Sequence, residues 1–134
     1  MTAIVCIEDR GGILFLKRRV GRDALVCQDI ASEHPRLLMT EYSRSLFDGL
    51  AVDINLSPSP LKSARDDDVC FIESGEIKDN LKKIDRLTVY NWNRKYPSDV
   101  KLGFIPADVG FKLVSSTEFV GRAHEKITKE IYER

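Results

Sequence analysis

Four cations gather in one short stretch beside a carboxylate: Lys17, Arg18, Arg19 and Arg22, followed directly by Asp23. Guanidinium forks hold phosphate or carboxylate through paired N–H donors, and a helix starting nearby would add its dipole. The chemistry implied is capture of a small anion such as a nucleotide. The same residues also fit a solvated loop in which Asp23 pairs with a neighbouring arginine. A second group comprises Tyr90, Trp92 and Arg94, with Tyr96 close behind. Aromatics interleaved with basic side chains can stack bases, and can equally close a strand onto the core or onto another subunit. His124 and Glu125 form an adjacent acid and base. With only two histidines in the chain there is no metal triad, so His124 reads as a surface or strand-edge residue. Cys6, Cys27 and Cys70 lack CxxC or Cys/His spacing, which points to reduced, buried thiols and to no zinc site.

These side chains need elements to hold them. Residues 3–7 are apolar at nearly every position, as in a central strand covered on both faces, and residues 8–12 break it. Residues 13–16 extend the core or pack as a loop. Residues 22–32 have helical spacing through Leu25, Val26 and Ile30, with Asp23 in the first turn and Pro35 as the stop. Residues 37–39 read as a strand, Thr40 as a helix cap, and Tyr42, Leu46 and Phe47 as one helical face ending near Gly49. Residues 52–56 return as a strand, and Pro58 and Pro60 force a loop.

The third unit has the most regular pattern: strand 69–72, cap Ser74, a helix through Ile77, Leu81 and Ile84, then strand 87–92. Residues 111–114 form a strand, whereas Ile127 and Ile131 suit either a helix face or an alternating strand. Strands alternating with helical segments imply a mostly parallel sheet.

The chain has 134 residues, 43% hydrophobic and 31% charged, which fits one domain spanning residues 1–134 with a single core. Twenty-one basic and twenty-one acidic side chains cancel. No global field favours nucleic acid or anionic membrane, so any such binding must be local. The N-terminal residues lack the pattern of a secretory leader, and no apolar run approaches membrane-helix length, so the expected location is the cytoplasm.

Taken in order, these units resemble the dihydrofolate reductase family over most of the chain. Residues 3–12 look like its first strand and following glycine. Asp23 falls where the family keeps its active-site carboxylate. Residues 69–77 with Asp85-Arg86-Leu87 resemble its strand, paired-glycine turn, helix and next strand. Asp99, residues 111–114 and residues 127–134 resemble its closing antiparallel strands. The resemblance implies a mixed, mostly parallel α/β sheet flanked by about three helices, with antiparallel C-terminal strands and the tail as a strand.

The departures bear on activity. The family's Gly-Arg-x-Thr turn, which holds cofactor phosphates, reads Thr40-Glu41-Tyr42-Ser43 here. Its paired glycines are Glu73 and Ser74, and its 2′-phosphate basic residue is replaced by Ser57-Pro58. On the substrate side, Tyr90 stands where a threonine is usual, and the folate-tail arginine has no counterpart near Gly49-Leu50-Ala51. These departures from the family imply no bound cofactor and no classical dihydrofolate reduction, and the cation group beside Asp23 then points to a non-redox small-ligand binding or regulatory protein that holds an anionic metabolite or nucleotide. Two alternatives stay open: a divergent NADPH-dependent reductase with Asp23, its pKa raised by burial, as proton donor, and an interaction module acting as a homodimer.

Overall fold

The computed structural model describes all residues, Met1–Arg134. Strand β1 (Thr2–Ile7) leads into β2 (Gly12–Phe15) and β3 (Arg18–Arg19), then helix α1 (Ala24–Glu33), β4 (Arg36–Met39) and α2 (Glu41–Arg44). There follow β5 (Asp53–Leu56), α3 (Pro60–Ser63), β6 (Val69–Ile72), β7 (Arg86–Asn91), β8 (Val100–Lys101), β9 (Lys112–Phe119) and β10 (Ile127–Glu133). Seven strands form the main sheet in the order β5-β4-β6-β1-β7-β10-β9. β5, β4, β6, β1 and β7 run parallel, and β10 and β9 pair antiparallel at one end. A small sheet, β3-β2-β8, lies beside it. The mostly parallel sheet with closing antiparallel strands, and the strand at the tail, are as the sequence implies. No helix is long and apolar enough to cross a membrane.

β1 sits in the middle of the sheet, and Ala3, Ile4 and Val5 are buried on both faces, which explains its unbroken apolar run. Alternation along the strands sorts the core in two. Ile4, Tyr90, Trp92 and Ile127 face α1, packing with Val26, Ile30 and Phe71. Ala3, Val5, Leu87 and Val89 face the other way, onto Leu61, Ile77, Ile84, Leu102 and Phe111. That second face has only the one-turn α3 for a helix; 3-10 turns and the small sheet supply the rest of its cover.

The segment after β6 departs from its pattern. Instead of one helix through Ile77, Leu81 and Ile84, the chain makes two 3-10 turns, Gly75–Asp79 and Leu81–Lys83. Asn80 is the reason. Its Nδ2 donates to the carbonyl of Glu76 at 2.8 Å, the oxygen an α-helix would offer to the Asn80 backbone. The backbone N–H turns to Ile77 O instead. Ser74 does cap the segment, accepting from Glu76 N. Thr40 sits at the N-cap of α2 without a side-chain cap bond, and Tyr42 is 43% exposed rather than on a buried face.

The break after β1 is built around a buried carboxylate. Glu8 Oε1 accepts from the N–H groups of Arg10 and Gly12, and Oε2 from Tyr96 N. Residues 12–15 then form β2, joined to β3 by a two-residue turn in which Leu16 (φ 50°) and Lys17 (φ 66°) are both left-handed. Such turns match strand twist but favour Asn-Gly over Leu-Lys. Leu16 is 70% exposed, so little packing is at stake. Replacing Leu16-Lys17 by Asn-Gly is expected to stabilise the protein by about 1 kcal/mol in urea unfolding. A loss of stability would show that the turn is not strained.

Candidate functional site

In open parallel sheets, ligands meet the carboxyl ends of the strands. Here those ends are closed by the protein's own side chains. Glu73, just past β6, receives a bidentate fork from Arg19: Nε to Oε2 at 2.8 Å and Nη2 to Oε1 at 3.0 Å. Ser43 in α2 donates to the same Oε1 at 2.8 Å. Arg19 also lies 4.3 Å over the Tyr42 ring, donates through Nη2 to Tyr42 O, and receives no other carboxylate. Its backbone N–H donates to the Tyr42 hydroxyl. The two side chains are 17% and 9% exposed, so the pair is mostly desolvated. The hydrogen bond and charge of Glu73 hold Arg19 more firmly protonated than usual, against its burial.

Asp23 organises the adjacent corner. It is the N-cap of α1 rather than a first-turn residue, and Oδ1 accepts from Leu25 N at 3.0 Å. The loop before β10 supplies the remaining donors: Arg122 N to Oδ1 at 2.9 Å, Ala123 N to Oδ2 at 2.7 Å, and His124 Nδ1 to Oδ2 at 3.0 Å. A carboxylate only accepts, so Nδ1 carries the proton shared with Asp23, and Nε2 lies 3.0 Å from the Tyr96 hydroxyl. His124 stacks on Trp92 with centroids 4.5 Å apart. Gly121 is required here, since a Cβ would fall 2.5 Å from Asp23 Oδ2 and from Ile127 Cδ1.

Burial pushes the Asp23 carboxyl upward, yet the bonds from Arg122, His124, Ala123 and Leu25 outweigh it, and the net shift is downward. The condition attached to Asp23 as proton donor, a pKa raised by burial, is therefore not met. Both oxygens are engaged, and the group is held as a carboxylate.

The cation group separates. Lys17 and Arg18 are exposed on the hairpin, Arg19 turns inward to Glu73, and Arg22 is exposed at the start of α1. Strand alternation sends Arg18 and Arg19 to opposite sides. The second group also divides. Tyr90 is 1% exposed and donates to Asp29 Oδ2 at 2.6 Å, beside Lys129, which pairs with Asp29 and Glu33. Trp92 is buried on the same face, while Arg94 lies exposed beyond the left-handed Asn93. These three residues make no common patch. His124, expected at the surface or a strand edge, is 5% exposed. Its partner lies 101 residues away, and nothing local in the sequence signals that.

Two cavities adjoin. One of about 410 Å³ lies between α1 and the Ser45–Phe47 turn, with Arg22, Gln28, Ser45 and Asp48 on its lining. Behind it, past Cys27 and Leu46, a slot of about 10 Å³ reaches Cys6, Phe71, Glu73 and Trp92. That is space for about one water. Burial, then Glu73, pushes the Cys27 thiol up to about 11, and the Cys6 thiol also well up. Both stay protonated and poorly nucleophilic at neutral pH. No group of three or more His, Cys, Asp or Glu side chains gathers in a metal-binding arrangement.

Among solved structures, the chain is similar to dihydrofolate reductase from Enterococcus faecalis complexed with NADP(H) and RAB-propyl. The TM-score is 0.68 at 12% identity, over 99% of this chain and 95% of that one. The chain has the dihydrofolate reductase fold. No protein-family model matches the sequence, and no curated protein matches it. On the reductase fold, then, the turns that resemblance aligned with cofactor binding carry Glu73, Ser43 and Tyr42, joined to one another and to Arg19.

The Asp23 network makes a pH prediction. A carboxylate with a lowered folded pKa stabilises above its unfolded value, and that stability is lost as pH falls through the folded value. Glu8 has the same direction: burial raises it, and its bonds from Gly12, Tyr96 and Arg10 win. Wild-type stability is expected to fall progressively below about pH 4.5. Asp23→Asn should be less stable at pH 7 by about 2–3 kcal/mol and show a shallower acid slope. Parallel pH profiles for the two proteins would remove Asp23 from that role.

Proposed function

We propose that the chain is a non-redox protein that binds a small anionic ligand on the reductase fold, in the cleft between α1 and the Ser45–Phe47 turn. The observation that carries this reading is the Arg19–Glu73–Ser43 network across the strand ends. A dinucleotide phosphate placed at those turns would meet the Glu73 carboxylate, and displacing Glu73 would strand Arg19. Separating a mostly buried ion pair costs about 3–5 kcal/mol, which would weaken cofactor binding by about two to four decades. The residues present do not fit NADPH phosphates.

The narrow slot behind the cleft favours a ligand that stays at the mouth. Arg22 offers a fork to one anionic group, and Gln28 and Ser45 offer neutral hydrogen bonds. Asp48 opposes a second negative charge and favours a donor such as an amino or hydroxyl group. Asp23 here acts by position, fixing the first turn of α1 through Leu25 N.

The reading of a divergent NADPH-dependent reductase draws on the similar structure being a reductase complexed with NADP(H). It requires Arg19 to release Glu73. Calorimetry with NADPH separates the two. Wild type is expected to give no binding at about 10 μM cofactor, and micromolar affinity would overturn the proposal. In a panel of nucleoside monophosphates, Arg22→Ala should lower affinity about tenfold or more, with Arg18→Ala unchanged. Equal effects of the two variants would place the anion elsewhere.

A further inference from the structure

The sheet face turned away from α1 carries a second cleft, of about 500 Å³, above β1, β7 and β10. Its floor is Ile7, Val89, Glu130 and Tyr132, and its wall is the 102–106 segment between β8 and the 3-10 turn Pro106–Val109. The cleft exists because this face has no long helix: Leu102 and Phe111 cover the core near the small sheet, but nothing crosses β10 at Glu130. The size lies in the range of small-molecule sites, which run to about 300–1,000 Å³.

The lining is chemically divided. Phe104, Ile105 and Pro106 give an apolar wall, and Ile105 is 64% exposed. Glu130 is half-buried on the floor and has no ion-pair partner. Tyr132 stands two residues along the same face of β10; burial, then the Glu130 carboxylate, pushes its phenol up to about 12, so it stays a donor. Two cations reach the rim. Arg10 is partly committed, lying 3.5 Å from Glu8 and donating to Tyr96 O. Lys101 has only the neutral Ser98 hydroxyl, at 2.9 Å.

A half-buried carboxylate bonded only by the Tyr132 phenol asks for a charged donor, and an ammonium bonded only to a neutral hydroxyl asks for an anion. We propose that this cleft binds a free aromatic α-amino acid, its ammonium on Glu130, its carboxylate toward Lys101 and Arg10, and its ring against Phe104, Ile105 and Pro106. An α-amino acid carries both charges on one carbon with an apolar arm attached, which matches a site with one acid, two bases and one greasy wall. The site lies across the sheet from the α1 cleft and does not depend on how that cleft is used.

The test is an amide-resolved NMR titration of the whole chain with L-tryptophan, tryptamine, which lacks the carboxylate, and indole-3-propionate, which lacks the ammonium. L-Tryptophan is expected to shift the Gly11, Gly103 and Phe104 amides saturably, and each analogue to bind about tenfold or more weakly. Glu130→Gln and Lys101→Ala should each lose a similar factor, with the remaining spectrum confirming the fold; Lys101 is exposed, so its variant isolates the charge. No saturable shift up to about 5 mM L-tryptophan, equal binding of all three indoles, or shifts confined to Gln28 and Ser45 would each overturn the proposal.

Discussion

The pair between Arg19 and Glu73 sets the character of this molecule. It joins the β2–β3 hairpin to the end of β6, and Ser43 and Tyr42 tie α2 into the same knot. Three segments distant in sequence thus meet at the one edge of the sheet where this architecture usually leaves room. A bidentate guanidinium–carboxylate contact is strong and directional, and most of its solvent has been removed. The hairpin is thereby held against the strand ends.

Asp23 is the complementary anchor. One carboxylate caps α1 and gathers three donors from the loop before β10. Through His124 it extends to Trp92 and Tyr96, and through Tyr96 N to the buried Glu8. Two buried carboxylates therefore fix the loops after β1 and before β10, which converge beside the strand ends. Each is kept ionised by hydrogen bonds that outweigh burial. These acids are spent on architecture, which leaves Arg22, Gln28, Ser45 and Asp48 as the polar groups facing open space near α1.

Much of the fold was legible because it is written locally. A parallel strand buried on both faces has to be apolar throughout, so residues 3–7, 37–39 and 69–72 declare themselves. The crossover after β6 misled because helical spacing shows only which side is buried. Ile77 and Ile84 are indeed buried, but Asn80 breaks the ladder between them. The tail was ambiguous by period, and its strand followed from resemblance. The site was mostly illegible. Arg19 with Glu73, and Asp23 with His124, are pairs 54 and 101 residues apart, and composition carries no trace of such contacts. Chain proximity instead grouped Arg18 with Arg19, which the alternation of a two-residue strand sends apart.

The sheet also keeps stability apart from the residues that could do chemistry. Its stability resides in the two apolar layers around β1, which include none of Arg19, Ser43 and Glu73. Glu41, Glu73 and Ser74 lie outside those layers, so side chains at these turns can vary without touching the core. The same independence acts on the opposite face. With no long helix laid over β7 and β10 there, Glu130 and Tyr132 remain at the bottom of a cleft rather than under a packed layer. Closing one crevice and leaving another open are separate consequences of how a sheet is covered, and each can change without disturbing the strands between them.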